Sequence, residues 1–276
     1  MSNQVNIFSD FVYQAETLTH EIRVLADSGT IDRLRDLDTN ITNQKLISQY
    51  SNLQIGCGTS FGYKLTTGLV DKAYDYSGNN RDLTASGTAR PTYNATGRTN
   101  KGSFTFDGTT DYLNSISLVM PNTGTVSFCS WVKCSTVANI QTLYNDLIQD
   151  ASTGYFWLYR NTSTNNLIFR YATGASAATI SFTNFWGTSG TTPLDNVWVH
   201  IAVVVNYTGN TISAYRNGIL FSTQSLTTSI PPTLSGVKYF GNYQGVSHFL
   251  NGSMDDMRVY SSLLSASDAG RIMNEI

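Results

Sequence analysis

The sequence predicts an all-β protein: a two-sheet antiparallel jelly-roll sandwich behind a short helical N-terminal segment. Three observations carry this reading. From Leu53 onward, short runs rich in Val, Ile, Phe, Tyr and Trp alternate with Gly, Ser, Thr and Asn, with turn signals about every ten residues, the pattern of a sandwich rather than of βαβ units. Dipeptides such as Asp107-Gly108 and Asn217-Gly218 close those runs and supply the positive φ that tight corners and hairpins require. Residues 1–53, in contrast, hold few glycines and no proline and show helical spacing.

That N-terminal segment places Leu18, Ile22 and Leu25, then Ile31, Leu34, Leu37 and Ile41, on apolar stripes. Asp27-Ser28-Gly29 divides it into two helices, and Thr30 caps the second with Asp32 in its first turn, where negative charge suits the helix dipole. Leu34, Leu37 and Ile41 fit heptad spacing too briefly for a sustained coiled coil. The segment reads either as a helix packed on its own domain or as a short anchor or oligomerisation stem.

The jelly-roll domain spans 54–276. The run Lys101–Asn114 alternates through Phe104 and Phe106, breaks at Asp107-Gly108 and resumes at Tyr112-Leu113. It reads as a half-buried strand entering a β-hairpin or β-corner. Thr125–Val132, Leu167–Tyr171 and Val197–Val205 follow as strands, and Ile212–Arg216 closes at Asn217-Gly218 as a type I′ hairpin. Ser265–Met273 reads as a terminal helix capped by Ser265 or Ser267.

Charged residues are only 13% of the chain, about half the usual share, so its surface is largely Ser, Thr, Asn and Gly. A net charge of −2 provides no attraction to nucleic acid or an anionic membrane. No apolar run is long enough for a transmembrane helix, and the start, MSNQVNIFSDF, lacks the basic and apolar regions of a secretory leader. Cys57, Cys129 and Cys134 form neither a disulfide framework nor a zinc pattern and read as buried thiols.

Several pieces in order resemble one family: Asp75-Tyr76-Ser77-Gly78-Asn79-Asn80, Gly102–Gly108 with Asp111-Tyr112-Leu113, Val126–Phe128 with Trp131-Val132-Lys133, Trp198–Ala202, Tyr215–Gly218, and Gly252–Tyr260 with Leu264-Ser265-Ala266. Over roughly residues 63–276 the chain resembles a laminin-G-like domain of the concanavalin A-like lectin/glucanase superfamily. The resemblance implies two antiparallel sheets, one concave, and leaves function open, because this fold serves lectins, hydrolases, adhesion modules and structural domains.

The resemblance also implies a structural calcium ion held in part by Asp75, Asn79 and Asp255, since calcium takes six to eight oxygen ligands. The alternative is that Asp75 and Asn79 cap a turn and that Asp255 pairs with Arg258 or a backbone amide. A glycosidase needs two facing carboxylates. The glutamates are Glu16, Glu21 and Glu275, all outside the sheets, and adjacent Asp255 and Asp256 would point to opposite faces of a regular strand. His200, within Trp-x-His, reads as structural. No catalytic residue is expected.

Sugar sites stack aromatic faces against C–H faces and ring them with short polar groups. The candidates are Tyr155, Trp157 and Tyr159 on one alternating strand, Tyr239, Tyr243 and His248 in the late loops, and above all Trp186, flanked by Asn184, Gly187 and Ser189. Asn-x-Ser/Thr strings at Asn40, Asn94, Asn161, Asn206 and Asn251 are explained by composition. The expectation is a non-catalytic module recognising a glycan or protein surface, held in a homo-oligomer or larger assembly by residues 1–53. The alternative is a structural block of a large particle, such as a virus capsid or surface fibre; a hydrolase would need carboxylates from unrelated loops.

Overall fold

The computed structural model describes residues 53–58, 68–77, 79–85, 87–98, 102–115, 118–119, 125–136, 140–147, 155–173, 176–188, 194–227 and 235–274. The expected N-terminal helices lie outside these residues. The strands are, in order, β1 (Leu53–Cys57), β2 (Gly68–Leu69), β3 (Lys72–Ala73), β4 (Leu83–Thr84), β5 (Thr92–Asn94), β6 (Ser103–Asp107), β7 (Leu113–Ser115), β8 (Leu118–Val119), β9 (Thr125–Cys134) and β10 (Ile140–Leu147). There follow β11 (Tyr155–Asn161), β12 (Asn166–Thr173), β13 (Ser176–Phe182), β14 (Val199–Asn206), β15 (Thr211–Arg216), β16 (Ile219–Ser225), β17 (Ser235–Gly236), β18 (Lys238–Phe240), β19 (Asn251–Tyr260) and one helix, α1 (Ala266–Asn274).

The first sheet runs β16-β15-β14-β9-β19-β6-β5-β2, with β1 also on β19; the second runs β13-β12-β11-β10-β18-β7-β4-β3; β8 and β17 form a small pair. All pairings are antiparallel, as in the expected sandwich. The core between the sheets follows from alternation: Phe104 and Phe106 of β6, Phe156 and Leu158 of β11, and Val199, Ile201, Val203 and Val205 of β14 meet there.

The intervening residues of β14 are buried as well. Ala202 and Val204 join Leu53, Tyr76, Tyr260, Ala269 and Ile272 in a second apolar layer, made where β1 and α1 cover the outside of the first sheet. A strand buried on both faces reads as an unbroken apolar run, which explains Val199–Val205. Helix α1 is set by a capping box: Ser265 Oγ accepts from Asp268 N at 3.2 Å and Asp268 Oδ2 from Ser265 N at 2.9 Å. The Asn217-Gly218 hairpin joins β15 to β16 with φ of 50° and 75°, as a type I′ turn requires.

Asp107-Gly108 is a corner, not a hairpin. β6 pairs in the first sheet and β7 in the second, so the chain crosses the sandwich here. Asp107 Oδ1 accepts the amides of Thr109 and Thr110 at 2.8 Å and of Asp111 at 3.0 Å. Asp111 Oδ2 answers by accepting Asp107 N at 3.0 Å. Burial, reinforced by the charge of Asp107, raises the Asp111 carboxyl to about 6. A carboxyl raised on folding destabilises through its charged form, so its cost is absent at low pH and full above about 6. Asp111→Asn is therefore expected to melt about 2 °C above wild type near pH 7.5, with the gap closing towards about pH 4; melting curves across pH check this.

Beneath the second apolar layer lies a set of buried charges. β19 carries a bulge between Asp255 and Arg258, where Asp256 takes a φ of 51°. Arg258 Nε donates to Asp256 Oδ1 at 2.7 Å with both side chains fully buried, and Tyr76 Oη donates to the same oxygen. Asp255, also sealed, lies 3.4 Å from the equally buried Arg98. Removing one partner of a buried pair strands the other charge, so Asp256→Ala is expected to cost about 3–5 kcal/mol in chemical denaturation.

Candidate aromatic binding site

The second sheet carries an aromatic cluster on its outer face. β11 turns Phe156 and Leu158 into the core and Trp157 and Tyr159 outward, where they meet Ile168 of β12. Trp157 lies 4.1 Å from Tyr159, 4.4 Å from Tyr243 and 5.1 Å from His248, ring centre to ring centre, the last stacked at 25°. Its indole N–H donates to Thr142 Oγ1 at 2.9 Å. Tyr155 opens the same strand, paired with Leu147 and Ala172.

Tyr243 and His248 arrive on the loop 241–250. Gly241 starts it at a φ of 84°, and a Cβ there would fall 2.6 Å from the Phe106 ring, so only glycine fits. Gln244 and His248 both hold left-handed backbones, at φ of 57° and 54°, a conformation that costs energy and persists only where neighbours impose it. They do: Gln244 N donates to Asn145 Oδ1 at 3.2 Å, Thr142 N to His248 O at 3.0 Å, and Tyr243 N to Ser247 O at 2.9 Å. Asn242, itself buried, accepts from Gly245 N and donates to Ser247 O. The loop is therefore preorganised by backbone contacts with β10. Tyr239, on β18, sits 5.8 Å edge-on to Tyr112 beneath the loop.

Exposure divides the cluster. Trp157 and Tyr159 are only 4% and 8% exposed; expected as ligand contacts, they are instead the floor on which the loop rests. Tyr243 is part-exposed, His248 is exposed, and Val246 at the tip is 72% exposed. Partial burial lowers the His248 pKa, so its ring is neutral at physiological pH.

Trp186 does not belong to this site. It is fully buried, its ring under the Arg160 guanidinium at 5.2 Å and edge-on to Phe185 at 5.4 Å. Its polar neighbours misled: Asn184 and Gly187 make the turn, at φ of 60° and 108°, and that turn tucks both aromatics inward. Thr142, Asn145 and Tyr112 went unread as site residues; in the mixed polar and apolar text of β10 nothing sets the first two apart from Gln141 and Asp146.

The three calcium candidates do not fit one ion as arranged. Asp75 Oδ1 accepts from Gly56 N and Ser77 N, both at 2.9 Å, and Oδ2 from Ser77 Oγ at 2.7 Å and Arg81 N at 2.9 Å. Four donors occupy its acceptor positions. Asn79 turns its amide N–H groups to Leu53 O and Ser77 Oγ, and Asp255 faces Arg98. Asp75 is the clasp of its loop. His200 is fully buried and held neutral, its pKa lowered to about 3 by burial and then by Arg258 and Arg98.

A family model for the concanavalin A-like lectin/glucanases superfamily, Laminin_G_3, matches residues 107–269, more than half of the chain. The chain belongs to this superfamily. No curated protein matches its sequence. Among solved structures, this laminin-G-like chain is similar to the botulinum neurotoxin serotype D ligand binding domain in complex with N-acetylneuraminic acid, at 15% identity and a TM-score of 0.61 over 82% of this chain and 52% of that one. It is also similar to the receptor binding domain of botulinum neurotoxin type G, at 14% identity and a TM-score of 0.59 over 80% and 51%. It thus spans about half the length of those structures, and at these identities the likeness is one of fold.

Thr142 offers a test of the floor. Thr142→Val leaves the buried indole N–H of Trp157 without an acceptor, which costs about 1–3 kcal/mol; a lowered denaturation midpoint with altered tryptophan fluorescence is the expected result.

Proposed function

We propose that this laminin-G-like domain is a non-catalytic module that binds glycan at the rim formed by Tyr243, Val246 and His248 over the Trp157–Tyr159 floor. The observation that carries the reading is the preorganised loop. It spends backbone strain and several hydrogen bonds to present two ring-bearing side chains and an apolar tip to solvent. Groups held in place before binding lose little freedom when a ligand arrives, and short polar side chains next to the rings, such as Ser247, suit sugar hydroxyls. The similar structures are a receptor binding domain and a ligand binding domain, in agreement with a binding role. The carboxylates support its being non-catalytic: Asp255 and Asp256 are sealed beside arginines, and Asp75 and Asp107 are spent on backbone amides.

A glycan array with the full-length protein tests this. Binding to a related set of sugars is expected, and the double variant Tyr243→Ala/His248→Ala is expected to lose at least about tenfold in affinity while its circular dichroism spectrum stays that of the folded sandwich. Retained affinity would move the seat off this loop, and a folded sample silent on the array would overturn the glycan reading.

A further inference from the structure

The aromatic site continues past the loop, across the outer face of β12 and β13. On β12 the core takes Leu167, Phe169 and Tyr171, while Ile168 packs outward against Trp157 and Tyr159. Alternation therefore turns Arg170 to the same outer face. The register sets Arg170 directly across from Trp157 on one side and from Thr179 of β13 on the other, and residues so placed hold their Cβ atoms about 5 Å apart. Arg170 is half-buried and Thr179 is exposed. Among the described side chains on the outer face of β10–β13, Arg170 is the one charge. Arg160 of β11 has the opposite parity and is sealed beside Asp195. Loop 241–250 contains no Asp, Glu, Lys or Arg.

We propose that the ligand of this rim is an acidic glycan, its carboxylate or sulfate bound by the Arg170 guanidinium while its sugar ring lies against Tyr243 and His248. The proposal rests on the glycan reading above and narrows it to a substrate class. Trp157 is the meeting point: Tyr243 and His248 reach it from the loop, at 4.4 Å and 5.1 Å between ring centres, and Arg170 flanks it from the next strand. One acidic sugar can therefore meet the rings and the cation together. A guanidinium stays charged at every physiological pH and presents a planar fork of N–H donors that matches a carboxylate or sulfate. Such charge-assisted hydrogen bonds are about twice as strong as neutral ones. An arriving anion meets no opposing carboxylate among the described side chains of this face or in the loop. The Thr179 hydroxyl, exposed beside Arg170, suits a neighbouring sugar hydroxyl. A neutral sugar would keep the ring contacts and lose only the bond to Arg170.

A glycan array that holds each core oligosaccharide in neutral, carboxylate-bearing and sulfated form, probed with the full chain, tests this. The acidic form of a bound core is expected to hold at least about tenfold tighter than its neutral counterpart, and the two acidic arms tell a carboxylate from a sulfate. Added salt is expected to narrow that gap by screening the charge. Arg170→Gln, with a folded circular dichroism spectrum, is expected to erase the gap and leave the weaker neutral binding. Arg170→Lys is expected to restore only part of it, since a point charge lacks the planar fork. Neutral cores bound as tightly as acidic ones, or an acidic preference indifferent to Arg170→Gln, would overturn the acidic-ligand proposal and leave the glycan rim standing. A folded sample that binds no sugar would overturn both. The comparison of neutral with acidic cores and the salt series use the unaltered protein, so they decide the matter even where Arg170→Gln fails to fold.

Discussion

The rest of the structure hangs on the ion pair between Asp256 and Arg258, locked by Tyr76 at the bulge of β19. β19 is the strand to which β1, β6 and β9 all pair. Its inward residues Met254, Met257 and Val259 fill the core between the sheets. The bulge lets its other side hold charges without exposing them, and the loop bearing Tyr76 and strand β1 must close over those charges. Two buried ions cost several kcal/mol each unless they are well paired, so this pair is weak evidence of stability and better evidence of specificity. A sheet that slipped by one residue would leave an aspartate and an arginine in an apolar layer with no partners.

The same logic governs the corner at Asp107. Crossing from one sheet to the other leaves several amides without strand partners, and one carboxylate gathers them. Asp75 does likewise for its own loop. In a chain with so few charges, a sizeable share of the aspartates works on backbone amides or buried arginines. That distribution bears directly on function, since a carboxylate already saturated with donors cannot readily accept a metal or move a proton.

Much of this was legible beforehand, and the exceptions have physical causes. The period-two alternation of β6, β11 and β15, the Asn217-Gly218 turn and the Ser265 cap are local signals, and each appears where local chemistry places it. The aromatic partners of Trp157 were found as types because rings alternate along one strand and recur in one loop. Which of them would face solvent depends on how loop 241–250 folds back, a non-local fact set by Asn145 and Thr142. Trp186 failed for the complementary reason: polar neighbours in sequence say nothing about the Arg160 guanidinium that meets the ring in space. The pairing of Asp255 with Arg98 spans a gap of 157 residues, beyond the reach of any local pattern.

The hydrogen bonds that fasten loop 241–250 run from its main chain and from Asn242, while Tyr243 and His248 rest their rings on Trp157 and Val246 stands exposed at the tip. Scaffold and vocabulary are thus separated. New residues can be written into those three places while the sandwich beneath is left undisturbed, so descendants of this chain could change what they recognise faster than they change their shape.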